Sequence, residues 1–370
     1  MSLEEAFGFF RDKKLAERVS QGIKKQAMND RSYFTHICGT HEQAIAHYGL
    51  RTLLPKNIEV RAGPGCPVCI CPAKDIDEAI YLAERGVVVT TFGDMYRTPG
   101  SSISLADARA LGCDVRVVYG PHDATEFARK NPDREVVFFA IGFETTAPTV
   151  AAEIIGKPPR NFSILTSHRL IPPAMELLLG LGDILIDGFI CPGHVATIIG
   201  VKPFSLFPRA YRMPTVIAGF EPLDILMGIY MLLRQIRDNQ PRIENEYGRS
   251  VKEEGNVKAQ RLIDEVFEVK SGHWRGIGRL PSSSLELRGE FAEYDARRKY
   301  DIKIGEARDL HPGCDCHLII TGKIYPPECR LFKKACTPST PKGPCMVSQE
   351  GTCNIWYKYG DYQKFPRRHP

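Results

Sequence analysis

Cysteines crowded into a few short stretches constrain this chain more than any other feature. Of its twelve, ten fall in such groups. Cys38 opens Cys38-Gly39-Thr40-His41-Glu42, and Cys66, Cys69 and Cys71 lie in Gly63-Pro64-Gly65-Cys66-Pro67-Val68-Cys69-Ile70-Cys71. The last sixty residues hold Cys314, Cys316, Cys329, Cys336, Cys345 and Cys353. Crowded thiolates bind metal, carry a cluster or exchange electrons as disulfides, whereas structural cysteines scatter, as Cys113 and Cys191 do. No apolar run reaches the length of roughly 18 to 20 residues that spans a bilayer. The start, Met-Ser-Leu-Glu-Glu, has no signal-type core. A cytoplasmic protein with no membrane partner is expected. Grouped cysteines there point to metal or redox chemistry more than to structural disulfides. The net charge of +5 is spread along 370 residues with no nucleic-acid motif, so nucleic acid is not an expected partner.

The chain is long enough for two or three domains. Residues 1–30 read as helical. From about 33 to 238 short β-rich runs alternate with helical ones. The strands expected are Tyr33–Ile37, Ile58–Ala62, Val87–Thr91, Val115–Tyr119, Glu135–Ile141, Phe162–Thr166, Ile184–Ile190 and Thr215–Ala218. Helices are expected between them, among them Lys74–Arg85 and Leu223–Arg237. Such alternation predicts α/β architecture with parallel sheets. An echo between Gly142-Phe143-Glu144-Thr145 and Gly219-Phe220-Glu221-Pro222 favours two half-sheets. Pro132 and Asp133 give the turn signal between them. The domains expected are 1–130, an N-terminal helix and first α/β unit; 131–240, a second α/β unit; and 241–370, a helical and Cys-rich unit. The stretch Ser271–Ser284 reads as Gly- and Ser-rich. The tail is too poor in apolar periodicity to build a large core, so it needs a metal or disulfide staple.

Each unusual motif begins just after an expected strand. In open α/β sheets ligands bind outside the carboxyl ends of strands, where helix N-termini offer free amides. This places Cys38, His41, Glu42, Cys66, Cys69, Glu144, His168 and His194 toward one edge, in a cleft if there are two half-sheets.

Cys38 near a helix N-terminus, with His41 and Glu42 close by, has the makings of an activated thiol. Thr40 as an N-cap is the structural counter-reading. Cys66-x-x-Cys69 has redox or metal spacing, on a loop expected to be exposed by Gly63-Pro64-Gly65 and Pro67. Cys329-x6-Cys336-x8-Cys345-x7-Cys353 offers four thiolates, the usual protein set for a [4Fe–4S] cluster. Zinc favours shorter spacings within each pair. Cys316, with Cys314, is a substitute ligand or a redox pair. Glu144 with Thr145 and Thr146 either positions a ligand or caps a helix. His194 either contacts the same ligand or packs. Asp94 and Arg97 form a weaker candidate, with a surface ion pair as the plain alternative.

Taken together, Cys38-Gly-Thr-His-Glu, Gly63-Pro-Gly-Cys-Pro-Val-Cys, Gly142-Phe-Glu-Thr-Thr, Pro192-Gly-His-Val and Gly343-Pro-Cys-Met-Val-Ser resemble the HypD family of hydrogenase maturation factors, nearly end to end. The resemblance implies two Rossmann-like α/β domains around a cleft, plus a C-terminal domain with a [4Fe–4S] cluster. It implies a scaffold that works with the small protein HypC. On it the Fe(CN)2CO group of [NiFe]-hydrogenases is assembled, with cyanide delivered by HypE from a thiocarboxamide made by HypF. Cys38 falls on the family's iron-binding cysteine, and Cys66 and Cys69 on its redox pair. His41, Glu42, Glu144 and His194 fall on cleft motifs. Cys71 and Cys113 match no family motif. A monomer joining transient complexes is expected.

Low-spin iron carrying cyanide and CO suits soft thiolate ligands. Releasing cyanide from thiocyanate consumes electrons, which a dithiol and a cluster could supply. The competing readings are an Fe–S-dependent thiol–disulfide oxidoreductase acting on a protein partner and a zinc-stabilised interaction module.

Overall fold

In the computed structural model, residues 8–360 are described. Among them no helix is long and apolar enough to cross a membrane. The strands are β1 (Ser32–His36), β2 (Ile58–Ala62), β3 (Val88–Thr91), β4 (Val115–Val117), β5 (Val136–Gly142), β6 (Phe162–Arg169), β7 (Gly188–Pro192), β8 (Thr215–Ala218), β9 (Ile243–Asn245), β10 (Phe267–Trp274) and β11 (Gly278–Leu287). They build two sheets. The first has the order β2-β1-β7-β8-β9 and is parallel throughout. The second has the order β10-β11-β6-β5-β3-β4, parallel except where β11 pairs with β6 and β10. The α/β class with parallel-dominated sheets and a Cys-rich tail is the architecture that alternating strands and helices predicted.

The parallel strands are apolar on both faces because helices cover both. In β5, Val137, Phe139 and Ile141 enter one core while Val136, Phe138 and Ala140 enter another, the period of two made visible. In β7, Phe189 and Cys191 face the first of these cores. Ile190 faces a third, under the helices Lys13–Gln26 and Pro222–Arg237. The core shared by both sheets also takes in Cys66, Cys69, Cys71 and the tail residues Cys316, Cys345, Cys353 and Trp356. The tail therefore packs as part of the main interior.

The expected grouping of strands into two contiguous halves fails. The sheets do not divide the chain near residue 130. β1 and β2 pair with β7–β9, while β3–β6 join β10 and β11. The chain thus leaves the first sheet after β2, returns at β7 and leaves again after β9. Periodicity marks a strand but says nothing about its partner, so contiguous halves were only the simplest grouping. The Gly- and Ser-rich stretch is a hairpin, β10–β11. Its outer strand carries exposed charge and a bulge between Lys270 and Gly272, which hide the alternation. Small residues serve close packing there: a Cβ on Gly272 would lie 2.6 Å from that of Ser284.

Ser167-His168-Arg169 is likewise not a loop. It is the end of β6, with His168 and Arg169 paired to Leu285 and Ser284. His168 is fully buried against Phe267, and burial lowers its pKa to about 3. It is a packing residue within β6, in register with Gly142 at the end of β5, and not on a loop. The helix Ala73–Glu84 is locked to this strand by Asp75. That carboxylate accepts from Ser167 Oγ (2.5 Å), Arg169 Nη2 (3.1 Å) and Arg297 Nη2 (3.1 Å). Burial alone would raise the Asp75 pKa, but the two guanidinium groups bring it below the ordinary value. Removing one member of such a buried network leaves uncompensated charge. Asp75→Ala should therefore cost about 3 to 5 kcal/mol of stability in urea unfolding, while Lys74→Ala, with an exposed side chain, should cost about 0.5 kcal/mol or less.

Candidate functional site

All parallel strands of the first sheet end on one edge, and the Cys- and His-bearing motifs start there. β1 runs into Cys38, the N-cap of the helix Gly39–His47. β2 runs into Gly63-Pro64-Gly65, which leads to Cys66 at the N-cap of the short helix Pro67–Ile70. β1 and β2 are neighbours in register, so the two loops leave the sheet side by side. Gly65 then crosses directly over Cys38. Gly39 N donates to Gly65 O (3.3 Å), and a Cβ at position 65 would lie 2.3 Å from Cys38 N. Only glycine allows this approach.

Cys66 and Cys69 are joined as a disulfide with Cα atoms 5.3 Å apart, and Cys66 Sγ accepts from the amide of Cys69 (3.2 Å). Both are buried, at 5% and 0% exposure. The loop expected to be exposed is covered. The tail helix Pro344–Val347, which carries Cys345, lies against the disulfide helix.

Cys38 is also buried, and its thiol is pushed up to about 11. Burial is the main cause and the nearby Glu350 carboxyl adds to it, while the amides of His41 and Thr40 pull the other way. The expectation of a thiol activated by a helix N-terminus therefore fails, because desolvation outweighs the amides. Thr40 is not the cap. Its hydroxyl instead reaches Glu350 (3.4 Å), and Gly39 leaves room for Glu350, whose carbonyl would sit 2.4 Å from an added Cβ.

Glu42 is not a free base. Its oxygens accept from His36 Nε2 (2.6 Å), Arg51 Nη1 and Nη2 (2.9 and 2.7 Å) and Trp356 Nε1 (2.6 Å), with no solvent exposure. Burial would raise its pKa, but Arg51 and the His36 hydrogen bond outweigh that and bring it to about 2. His41 donates from Nε2 to Gly219 O (2.9 Å) and stacks on Phe220, with its Nδ1 unpartnered among the described residues. Burial lowers its pKa to about 3, so it stays neutral at physiological pH. His194 stacks on Phe220 at 3.8 Å. Phe220 thus sits between the two imidazoles, and all three come from strand ends of the first sheet.

Glu144 follows β5 in the second sheet. Its Oε1 accepts from Ile171 N (3.0 Å), capping the helix Ile171–Gly180. Burial raises its pKa to about 7, and Oε2 has no partner among the described residues. The echo between the segments at 142 and 219 is a placement: each follows an interior strand, one in each sheet. Asp94 and Arg97 do not pair with each other. Asp94 accepts from Ser348 Oγ and Gln349 N (both 3.0 Å), and Arg97 donates to Pro338 O (3.2 Å). They hold the tail.

Cys314, Cys316, Cys329, Cys336, Cys345 and Cys353 line one pocket. Backbone amides already aim at two of the sulfurs, Lys342 N at Cys336 (3.3 Å) and Cys353 N at Cys345 (3.2 Å). Burial pushes the Cys314 thiol up, with Cys316 adding to it. A metal bound by these thiols would have to expel their protons. Among the described residues no three His, Cys, Asp or Glu side chains converge on a single ion.

Sequence reading missed Glu350, Trp356 and Phe220 as neighbours of the cysteines. Glu350 lies two residues beyond the run Gly343–Ser348, and that adjacency was the only signal. The Glu42–Trp356 bond gives a pH test. With a folded pKa of about 2 against an ordinary 4.5, Glu42 contributes stability that is complete above 4.5 and lost as pH falls through 2. The amount is about 3 kcal/mol. Acid titration of tryptophan fluorescence should show the tail loosening in that window, and Glu42→Gln should weaken this dependence.

The family model HypD, described as "Hydrogenase formation hypA family", matches residues 13–360. The chain is 48% identical to the "Putative hydrogenase expression/formation protein" of Methanocaldococcus jannaschii, over 94% of this chain and 98% of that one. It is 44% identical to hydrogenase maturation factor HypD2 of Bradyrhizobium diazoefficiens, over 97% and 98% of the two chains. It is also 44% identical to hydrogenase maturation factor HypD of Cupriavidus necator, over 96% and 97%. With this coverage, and with the motifs assembled on one sheet edge, the chain belongs to the HypD family of hydrogenase maturation factors.

Proposed function

We propose that this chain is the scaffold on which, together with HypC, the Fe(CN)2CO group of [NiFe]-hydrogenases is assembled, with cyanide arriving from HypE. The observation that carries this reading is the crossing of Gly65 over the Cys38 backbone, which brings the Cys38 loop against the loop of the Cys66–Cys69 disulfide. Cys38 is the proposed iron ligand. Its raised pKa means that iron must displace the thiol proton, which a dication does readily. A cysteine of HypC would complete the thiolate set. His41, His194 and Glu144 are the proposed cleft residues around the incoming iron and cyanide donor. Glu42 acts through position, fixing the helix that begins at Cys38.

The pair Cys66/Cys69 is the proposed electron source. A thiocyanate on HypE, R–S–CN, gives R–SH and cyanide when it takes up two electrons and one proton. Oxidation of the reduced pair to the disulfide supplies two electrons and two protons, so the exchange balances with one proton released. The disulfide corresponds to the state after transfer.

The tail pocket suits a [4Fe–4S] cluster better than zinc. Each of four irons takes one thiolate, which spreads the ligands, whereas zinc draws four to a point. Cys329, Cys336, Cys345 and Cys353 are the proposed ligands, with Cys316 as the substitute. When bound, the group supplies one-electron transfer close to the disulfide.

Anaerobic purification with HypC, followed by metal analysis and infrared spectroscopy, tests the reading. Wild type should show bands of iron-bound cyanide and CO, and Cys38→Ala should lose them together with the mononuclear iron. Cys66→Ala should keep iron but lose at least tenfold in cyanide bands. Undiminished cyanide loading in that variant would refute the electron-source role.

A further inference from the structure

Among the described residues, the buried guanidinium of Arg275 forms no ion pair with a carboxylate. Arg275 follows β10, at the turn of the hairpin, and is 3% exposed. Three segments fix it. Its amide donates to Ile70 O (2.9 Å) in the disulfide helix, Nε to Asp309 O (2.7 Å) and Nη2 to Pro99 O (2.9 Å). The Asp309 carboxylate is turned to Ala73 N, His273 Nε2 and Gly276 N. Nη1 has no hydrogen-bond partner among the described residues. The adjacent Gly276 packs on the tail at the residue after Cys316, where an added Cβ would lie 2.8 Å from that of His317, and the ionisable groups that act on the guanidinium, besides Asp309, are Cys316, Cys71 and Cys314.

A desolvated charge with no carboxylate in direct contact is costly, so such groups persist where further opposite charge meets them. The carbonyls around Arg275 satisfy donors but carry no net charge. Two of the three cysteines that act on it line the tail pocket. Protonated, these thiols offer no compensation. A cluster held by four thiolates is net negative, and becomes more so by one charge on reduction.

We propose that Arg275 is the built-in counter-charge of the cysteine-lined tail pocket, stabilising the reduced cluster most and so raising its midpoint potential. This rests on the reading of that pocket as a [4Fe–4S] site. Net charge and hydrogen bonds to sulfur are the protein's main levers on cluster potential. The hairpin therefore ties the setting of that potential to the helix that carries the Cys66–Cys69 disulfide. Arg275 is a positioning residue, touching neither iron nor cyanide donor.

The test compares wild type, Arg275→Gln and Arg275→Lys, each loaded with iron and sulfide under argon. Iron and acid-labile sulfide are measured first, then the midpoint potential by EPR-monitored titration. Arg275→Gln should shift the reduction equilibrium at least tenfold toward the oxidised form, about 59 mV downward for one electron. Arg275→Lys should recover most of that shift. A Gln variant that fails to load while the Lys variant loads also supports the counter-charge. Equal potentials in wild type and the Gln variant overturn the inference and leave the cluster reading standing. Failure of both variants to load overturns it too, since shape rather than charge would then be at stake. Wild type that takes up no cluster overturns both readings.

Discussion

The arrangement turns on the buried carboxylate of Glu42. It receives hydrogen bonds from His36 in β1, from Arg51 beyond the following helix and from Trp356 in the last described helix. An anion with no solvent exposure is tolerated only when its oxygens are fully satisfied. Glu42 therefore fixes the direction in which the helix leaves Cys38 and the place where the tail returns. One charge connects the strand that presents a thiol to the segment that holds six others.

Glycines complete what that carboxylate begins. Gly39 leaves room for Glu350, Gly65 for the backbone of Cys38, and Gly351 for the carbonyl of Cys345. At each of these positions a Cβ would fall within 2.4 Å of a backbone atom. The three thiol systems are thus brought together by backbone contacts that no larger residue permits. Asp94 holds the tail from the second sheet through Ser348 and Gln349. Both sheets then share a core that includes the disulfide and much of the cysteine-lined pocket.

Much of the fold was legible locally. Val, Ile, Phe and Thr runs bounded by Gly, Pro or charge marked strands within a few residues, and β2 and β8 to the residue. Pro222 at the first turn and Arg237 at the last bounded the long helix closely. The hairpin of β10 and β11 was not legible, because an edge strand carrying Glu268, Lys270 and His273 has no clean apolar alternation. His168 was misplaced because β6 runs three residues past the expected end, through polar side chains buried beneath that hairpin. At the site, the placing of Cys38, Cys66 and Cys69 at the carboxyl ends of neighbouring strands was legible, but their chemical states were not. Cys38 is a high-pKa thiol rather than an activated one, and Glu42 is spent on three partners, since desolvation and pairing depend on chain segments hundreds of residues away.

The sequence by itself determined the α/β class, the strand ends that carry Cys38, Cys66 and His194, and membership of the HypD family, because periodicity, turn residues and motif order are local properties. Only the tertiary structure decided that β1 pairs with β7, that Gly65 lies on Cys38, that Phe220 separates two imidazoles, and that Arg275 sits buried against the disulfide helix at Ile70. Those are facts of packing between distant segments. They follow from which apolar faces and buried charges find each other in three dimensions, and a linear pattern does not encode that choice.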